Sequence, residues 1–411
     1  MPNRFWTIGA ACALAGGWAM AEERATATGK VADDGGRPVE HATVLVYEGH
    51  VKKGYGVYCP SCWADCGKRA VTDAEGNFTI PGLNPDLVFK LLVVKDGYSA
   101  AFVDKVDPAE GPALTASLKT RPAVEDTSQL VRGRVVDAHG NPVKDAVVEQ
   151  NGLLMQGGGR RFGSSDGWID PMAVSNEKGE FEIAYGKPAA GMILNVNARG
   201  MAPRLFTEPT GPDRKTLTVT EGATIRGRLV NPDGKPVGDA EVGVTSHSHI
   251  SGTYISEVRI GTHPDGTFAI TNIPAGRVWD VYPKMESLAA RALAANPVYC
   301  ETSDDGQEVN VGDIQLRPSY TLRGKVMLSD GKSIPPNMRM TLSRGGSGDD
   351  VQMTSLATDG KFEFTGLAPD VYVLGAGVRG YRPPEGETGE VLVDHDRKDV
   401  VIRIEPTPPR R

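Results

Sequence analysis

The chain has 411 residues, among them 50 glycines and 29 prolines, and a formal net charge of −7. This length exceeds what one hydrophobic core usually organises and predicts several domains. Acidic and basic residues are interspersed without a basic stripe, which argues against nucleic acid as a partner. The frequent glycines and prolines favour short strands joined by tight turns.

The N-terminus has the composition of a secretory signal peptide. Arg4 supplies a positive charge, residues 5–20 are mostly apolar or small, and Ala19-Met20-Ala21 fits the rule for cleavage between small residues. This pattern predicts that residues 1–21 are removed and that the protein is exported to the periplasm, the cell surface or the medium. An uncleaved anchor and a lipoprotein-type cleavage at Cys12 are the alternatives, but the stretch is shorter than the ~20 apolar residues of a membrane span. No later segment is predicted to span a membrane.

One pattern occurs four times along the rest of the chain. Each copy opens with a glycine and a basic residue, continues as a short apolar strand and reaches a turn; the copies begin at Gly29, Gly133, Gly227 and Gly324. A spacing of about 100 residues is the size of a domain. In the first three copies a Pro-Val pair follows the turn, and apolar residues then alternate with others, which is typical of a half-buried strand.

A second landmark follows the first in every copy. A glycine two residues before a phenylalanine predicts a turn that leads into another strand, and these phenylalanines are Phe78, Phe181, Phe268 and Phe362. The third copy departs after Phe268, because an alanine-rich stretch at residues 287–295 favours a helix. The fourth copy lacks the Pro-Val pair, which predicts a shorter or irregular sheet.

These residues resemble the carboxypeptidase regulatory-like domain family. The resemblance implies a transthyretin-like β-sandwich of about seven strands, related to carbohydrate-binding-like folds. It also implies a module that accompanies a peptidase without performing its chemistry. The expected fold class is therefore all-β, a tandem array of four transthyretin-like, immunoglobulin-like β-sandwich modules.

The expected organisation follows the repeat. Residues 22–120 form the first sandwich, which carries a cysteine-rich insertion, and residues 121–221 form the second. Residues 222–318 form the third sandwich, with the helical departure, and residues 319–405 form the fourth. A disordered tail is expected at residues 406–411. The short segments between modules predict a semi-rigid array.

The insertion in the first module places Cys59, Cys62 and Cys66 close together, and Cys300 lies far away in the sequence. Export favours disulfides, in which two neighbours pair and the third reaches Cys300. A metal site is a second interpretation, because the three thiolates and His50 would make four ligands. A redox-active Cys-x-x-Cys is a third. All three interpretations stay open.

A glycine-rich loop in the second module suggests a binding surface. Stacking aromatic rings beside polar groups suit a polysaccharide or a protein of the envelope, whereas a loop without a ligand is the alternative. The candidate ligand-binding residues are Arg160, Arg161, Phe162, Trp168 and, in the cysteine insertion, Trp63. His247 and His249 lie on one face if their segment is a strand, which permits a weak metal pair or a solvated edge.

No catalytic motif is found. None of the seven histidines begins a His-x-x-Glu zinc pair. No cofactor is predicted. The sequence therefore predicts an exported, non-catalytic binding or scaffold protein of the bacterial cell envelope. A spacer without a specific ligand and a metal- or thiol-dependent activity at the cysteine insertion are the alternatives.

Overall fold

The computed structural model describes residues 24–54, 60–111, 113–163, 167–247, 260–344 and 350–408. The predicted signal peptide, Cys12, Cys59 and His249 lie outside these residues. Helix α1 is five residues long, and no helix in the described part of the chain is long and apolar enough to cross a bilayer.

The chain forms four modules, numbered here by their strands. Module 1 contains the 3-10 turn Pro60–Cys62 and strands β1 (Ala25–Asp33), β2 (Thr43–Val51), β3 (Arg69–Val71), β4 (Asn77–Leu83), β5 (Leu87–Val94), β6 (Tyr98–Ser99), β7 (Ala101–Val106) and β8 (Leu114–Thr120). Module 2 contains the 3-10 turn Thr127–Gln129 and strands β9 (Leu130–Val136), β10 (Val147–Leu154), β11 (Arg160–Phe162), β12 (Met172–Val174), β13 (Glu180–Ala184), β14 (Gly191–Asn197), β15 (Arg204–Pro209) and β16 (Arg214–Thr218).

The second half of the chain repeats this organisation and adds a helix. Module 3 contains strands β17 (Ala223–Val230), β18 (Glu241–Ser246), β19 (Ile260–Gly261), β20 (Thr267–Ile273) and β21 (Arg277–Pro283), helix α1 (Met285–Ala289), and strands β22 (Leu293–Ala294), β23 (Val298–Thr302) and β24 (Glu308–Gln315). Module 4 contains strands β25 (Arg317–Pro318), β26 (Tyr320–Leu328), β27 (Met338–Arg344), β28 (Gln352–Leu356), β29 (Lys361–Leu367), β30 (Asp370–Gly377), β31 (Tyr381–Arg382), β32 (Glu390–Val393) and β33 (Arg397–Pro406).

Every module has the same two sheets. In the first sheet of module 1, β1 lies between β4, to which it is antiparallel, and β8, to which it is parallel; β9, β17 and β26 are placed alike. The second sheet is antiparallel, in the order β3-β2-β5-β7 in module 1 and β28-β27-β30-β32 in module 4. The prediction of an all-β array of four β-sandwich modules is confirmed.

Inside each sandwich, the glycine that opens the first sequence landmark contacts the phenylalanine of the second landmark. Gly29 on β1 is paired with Phe78 on β4, and a Cβ atom at Gly29 would lie 2.7 Å from the ring of Phe78. The same relation holds between Gly133 and Phe181, between Gly227 and Phe268, and between Gly324 and Phe362. A glycine is needed here because the phenylalanine ring occupies the volume of a side chain on the neighbouring strand.

The modules share a further feature that the sequence analysis missed. A residue one or two positions before the second strand of each module (β2, β10, β18 or β27) has a left-handed backbone, at His41, Asp145, Asp239 and Asn337 (φ 58°, 58°, 53° and 61°). Aspartate, asparagine and histidine are the non-glycine residues that tolerate this conformation best. Their recurrence at one position of a repeat was therefore a readable turn signal.

The third and fourth copies are more regular than expected. β21 includes Trp279 and pairs with β18 as β5 pairs with β2, and the helix is shorter and begins earlier than the stretch 287–295. Module 4 keeps the full strand order, because β27 pairs along its length with β28 and β30. The expectation of a shorter sheet is not met there, whereas the first sheet of module 4 does have an irregular register on both sides of Leu322.

Candidate functional site: the junctions between modules

The first junction buries an apolar surface between modules 1 and 2. On β2, Val44 and Val46 point into the core of module 1, whereas Leu45 and Tyr47 lie on the opposite face and are 3% and 8% exposed. A separate cluster joins Leu45, Tyr47, Leu92 and Val147, with half-buried Val94, Ala100, Phe102, Met172 and Val174 around it. The second sheets of the two modules therefore rest on one another through their outer faces.

Polar contacts surround this apolar contact. Arg69 lies 2.8 Å from Asp145 of module 2, and the Tyr47 hydroxyl donates to the Asn197 carbonyl at 3.4 Å. Arg121, in the predicted linker, binds the buried carboxylate of Asp170 at 2.8 Å. The connection is thus fixed to the body of module 2, although partly exposed ion pairs add little stability by themselves.

The second junction brings parts of three modules together. Asn272 of module 3 donates from its side-chain amide to the carbonyl oxygens of Gly200, at 2.8 Å, and Glu221, at 2.9 Å. Its other side-chain atom, Oδ1, lies 3.8 Å from the sulfur of Cys62 in module 1. The cysteine insertion therefore lies against a neighbouring junction.

The third junction is a helix shared by two cores. Met285 of α1 is 1% exposed and belongs to the hydrophobic core of module 4, whereas Leu288 belongs to the core of module 3. A Cβ atom at Gly366 of β29 would lie 2.9 Å from Ala289, so the helix packs closely on this strand. The helix therefore contributes one side chain to the core of each of the two modules.

Buried charges lie beside this helix. Arg344 contacts Asp370 at 3.1 Å and Asp350 at 3.5 Å, and donates to the Ala295 carbonyl at 3.2 Å. Asp350 accepts a hydrogen bond from the Met285 amide at 3.0 Å. Burial raises the pKa of Asp350 to about 6, despite the nearby Arg344 guanidinium.

This carboxyl group predicts an unusual pH dependence. Since its pKa is higher in the folded than in the unfolded chain, its stabilising contribution is complete below the unfolded value and is lost as pH rises through about 6. Lowering the pH from about 7.5 to 5 should therefore increase the unfolding free energy of module 4 by about 1–2 kcal/mol relative to the Asp350→Asn variant. Denaturation curves of both proteins at the two pH values measure this difference. Identical pH responses would contradict the assignment.

The cysteines do not form the long-range bridge that was considered. Cys66 is buried in the core of module 1, where burial raises its pKa to about 12, and Cys300 packs against the core of module 3, where burial raises its pKa to about 11. Neither takes part in a disulfide in this structure, because Cys66 and Cys300 pack in different cores. Cys62 is exposed, and its sulfur is disulfide-bonded.

The described residues contain no group of three histidine, cysteine or acidic side chains suited to a metal. His50 lies 3.6 Å from Glu48. His247 holds its Nδ1 2.9 Å from Asp280 and lies edge-on to Tyr299, with ring centroids 5.0 Å apart. The predicted partner His249 lies outside the described part.

The candidate aromatic residues are placed differently from one another. Trp168 packs against the core of module 2 and lies edge-on to Tyr185, with centroids 5.4 Å apart, so it is not a free stacking platform. Trp63 likewise packs against the core of module 1. Arg160, Arg161 and Phe162 form the exposed strand β11 at the sheet edge, and Phe162 is 48% exposed.

Comparisons with known proteins add the following. No family model matches the chain, and no curated protein does. A Streptococcal ancillary pilin is similar at 13% identity over 68% of this chain and 100% of its own, with a TM-score of 0.24. The minor pilin of Streptococcus agalactiae is similar at 13% identity over 46% of this chain and 98% of its own, with a TM-score of 0.23. The major pilin subunit BcpA of Bacillus cereus is similar at 13% identity over 72% of this chain and 100% of its own, with a TM-score of 0.19.

Proposed function

We propose that this protein is an exported, non-enzymatic scaffold of the bacterial cell envelope, made of carboxypeptidase regulatory-like modules docked at fixed spacing. The supporting observation is that the modules share buried surfaces. Leu45, Tyr47 and Leu92 of module 1 are covered by module 2, and Met285 of module 3 completes the core of module 4. Such contacts would serve no purpose in a chain whose modules move independently.

The partner we propose is a protein of the envelope and not a polysaccharide. Trp168 and Trp63 are engaged in packing, which removes the two broadest rings from a sugar platform. The hairpin of β10 and β11 instead exposes Phe162 and Met155 beside Arg160. Exposed aromatic, methionine and arginine side chains are characteristic of protein interfaces. Burial raises the pKa of Cys66, which argues against a thiol-dependent activity that uses this residue as its nucleophile.

The scaffold role is tested by loosening one junction. Leu92→Asp places a charge in the contact between modules 1 and 2, where Leu92 is fully buried. We expect small-angle X-ray scattering of the wild type to fit one arrangement of the modules and that of the variant to require an ensemble. Val71→Asp is the matched control, because Val71 lies in the same sheet and is 58% exposed. A wild type that already requires a freely jointed ensemble would contradict the proposal.

A further inference from the structure

Module 4 carries an exposed apolar surface on the outer face of its second sheet, here called face 4. Val371, Met353 and Leu392 are 40%, 60% and 52% exposed, while their sequence neighbours Tyr372, Gln352 and Val393 are buried. Val371 and Leu392 are directly paired across β30 and β32, and Met353 on β28 is paired with Thr341 on β27. The side chains therefore lie on one face of one sheet. Val351, just before β28, is 42% exposed.

The centre of face 4 is made of small and medium-sized residues. Thr341 and Ser343 on β27 stand beside Gly375 and Val373 on β30, and the exposed Glu390 on β32 is paired with Val373. Small residues between larger apolar ones let a second sheet approach closely and leave Met353 and Leu392 to pack at the periphery. Apolar patches of a few hundred Å² on the surface of a soluble protein usually mark an interaction site.

The chain itself shows how such a face is used. Strands β28, β27, β30 and β32 hold the places in module 4 that β3, β2, β5 and β7 hold in module 1. In module 1 this face is covered by the equivalent face of module 2, through Leu45, Leu92 and Val147. Two outer faces of the same kind thus pack on one another within one chain.

No described segment of the same chain occupies face 4. Modules 3 and 4 are joined through α1, which packs on β29 of the other sheet, through Arg344, which donates to the Ala295 carbonyl, and through Asn296, which donates to the Pro369 carbonyl just before β30. The equivalent face of module 3 combines the apolar side chains Val278 and Tyr299, which are 41% and 62% exposed, with Asp280 hydrogen-bonded to His247. The arrangement already present between modules 1 and 2, in which two such faces pack on one another, favours a second face 4 as the occupant.

We propose that face 4 binds face 4 of a second copy of this chain and forms a two-fold symmetric dimer. A two-fold axis brings the same patch of both copies together, so such a contact needs only one surface that is complementary to itself. Four strands about 4.8 Å apart, each with about six residues, give a face of roughly 400 Å² in plan. This is below the ~800 Å² per partner of a standard interface, so we expect the dimer to be weak. The inference goes beyond the scaffold role, and neither depends on the other.

Sedimentation velocity of the purified chain over a range of concentrations tests the dimer. We expect a monomer–dimer equilibrium, and we expect Leu392→Asp to raise the Kd at least ~10-fold by placing a charge in the contact. Val401→Asp is the matched control, because Val401 is 50% exposed on β33 of the other sheet; its Kd should stay that of the wild type. If Leu392→Asp unfolds, Met353→Glu replaces it.

Three outcomes would overturn the proposal. The first is a wild type that stays monomeric at the highest concentrations, which would leave face 4 to another partner. The second is a Leu392→Asp protein that dimerises as the wild type does. The third is growth beyond the dimer, because a closed two-fold contact cannot add a third copy.

Discussion

Met285→Ala should destabilise module 4 by about 2–4 kcal/mol, although Met285 belongs to the helix of module 3. The side chain is 1% exposed and lies among the core residues of module 4, so its removal leaves a cavity there. Hydrogen exchange followed by mass spectrometry measures the loss locally, through the amides of β26 and β33. We expect these amides to exchange faster, in proportion to the lost stability, while those of module 3 change less.

Two variants make this prediction specific. Leu288→Ala, from the same helix, should destabilise module 3 instead, because Leu288 is fully buried in that core. Met327→Ala in β26 should change little, about 0.5 kcal/mol or less, because Met327 is 40% exposed. If Met285→Ala affected module 3 alone, the helix would not be shared between the two cores.

Gly76→Ala should destabilise module 1 by about 3 kcal/mol or more. Gly76 has a left-handed backbone (φ 80°), and an added Cβ would overlap the backbone oxygen of Val31. The left-handed conformation alone costs about 1–2 kcal/mol, and relief of the overlap requires the turn to move away from β1. That movement would also break the hydrogen bond from the Val31 amide to the Gly76 oxygen, which is 2.8 Å long.

The matched control separates the two costs. Gly36 has nearly the same backbone (φ 77°), but a Cβ there would meet nothing within 4 Å. Gly36→Ala should therefore cost only about 1 kcal/mol. Urea denaturation of both variants, followed through the fluorescence of Trp63, gives the two values. Equal losses would show that the overlap with Val31 is relieved without cost.

The sequence predicted the fold well because its landmarks are local contacts of each sandwich. Gly29 and Phe78 touch across neighbouring strands, so each repeat records its own strand pairing. The alternation of residue types along β2 was less informative. It predicted that one face of this strand is exposed to solvent, whereas both faces are buried. The unbroken apolar run from Val44 to Tyr47 was a signal that both faces are buried. It could not tell which module covers the second face.

The site was harder to predict because its residues act between modules. Met285 is an ordinary apolar helix residue in the sequence, and only the structure shows that it enters another core. Trp168 lies beside a glycine-rich loop whose residue types suit a binding surface. Its ring instead packs on Tyr185, which directly follows β13 and is distant from the loop in the sequence. A cysteine of the insertion was considered as a partner of Cys300, and the structure instead packs Cys66 and Cys300 in separate cores.

The central claim is that buried junctions hold the four modules in one arrangement. Nuclear magnetic relaxation of backbone amides tests it most directly, because it reports the rotational correlation time of each module in the intact chain. We predict one common, long correlation time for modules 1 to 4, measured below the concentration at which dimers form. Four different and shorter times, each close to that of an isolated domain of about 100 residues, would contradict it.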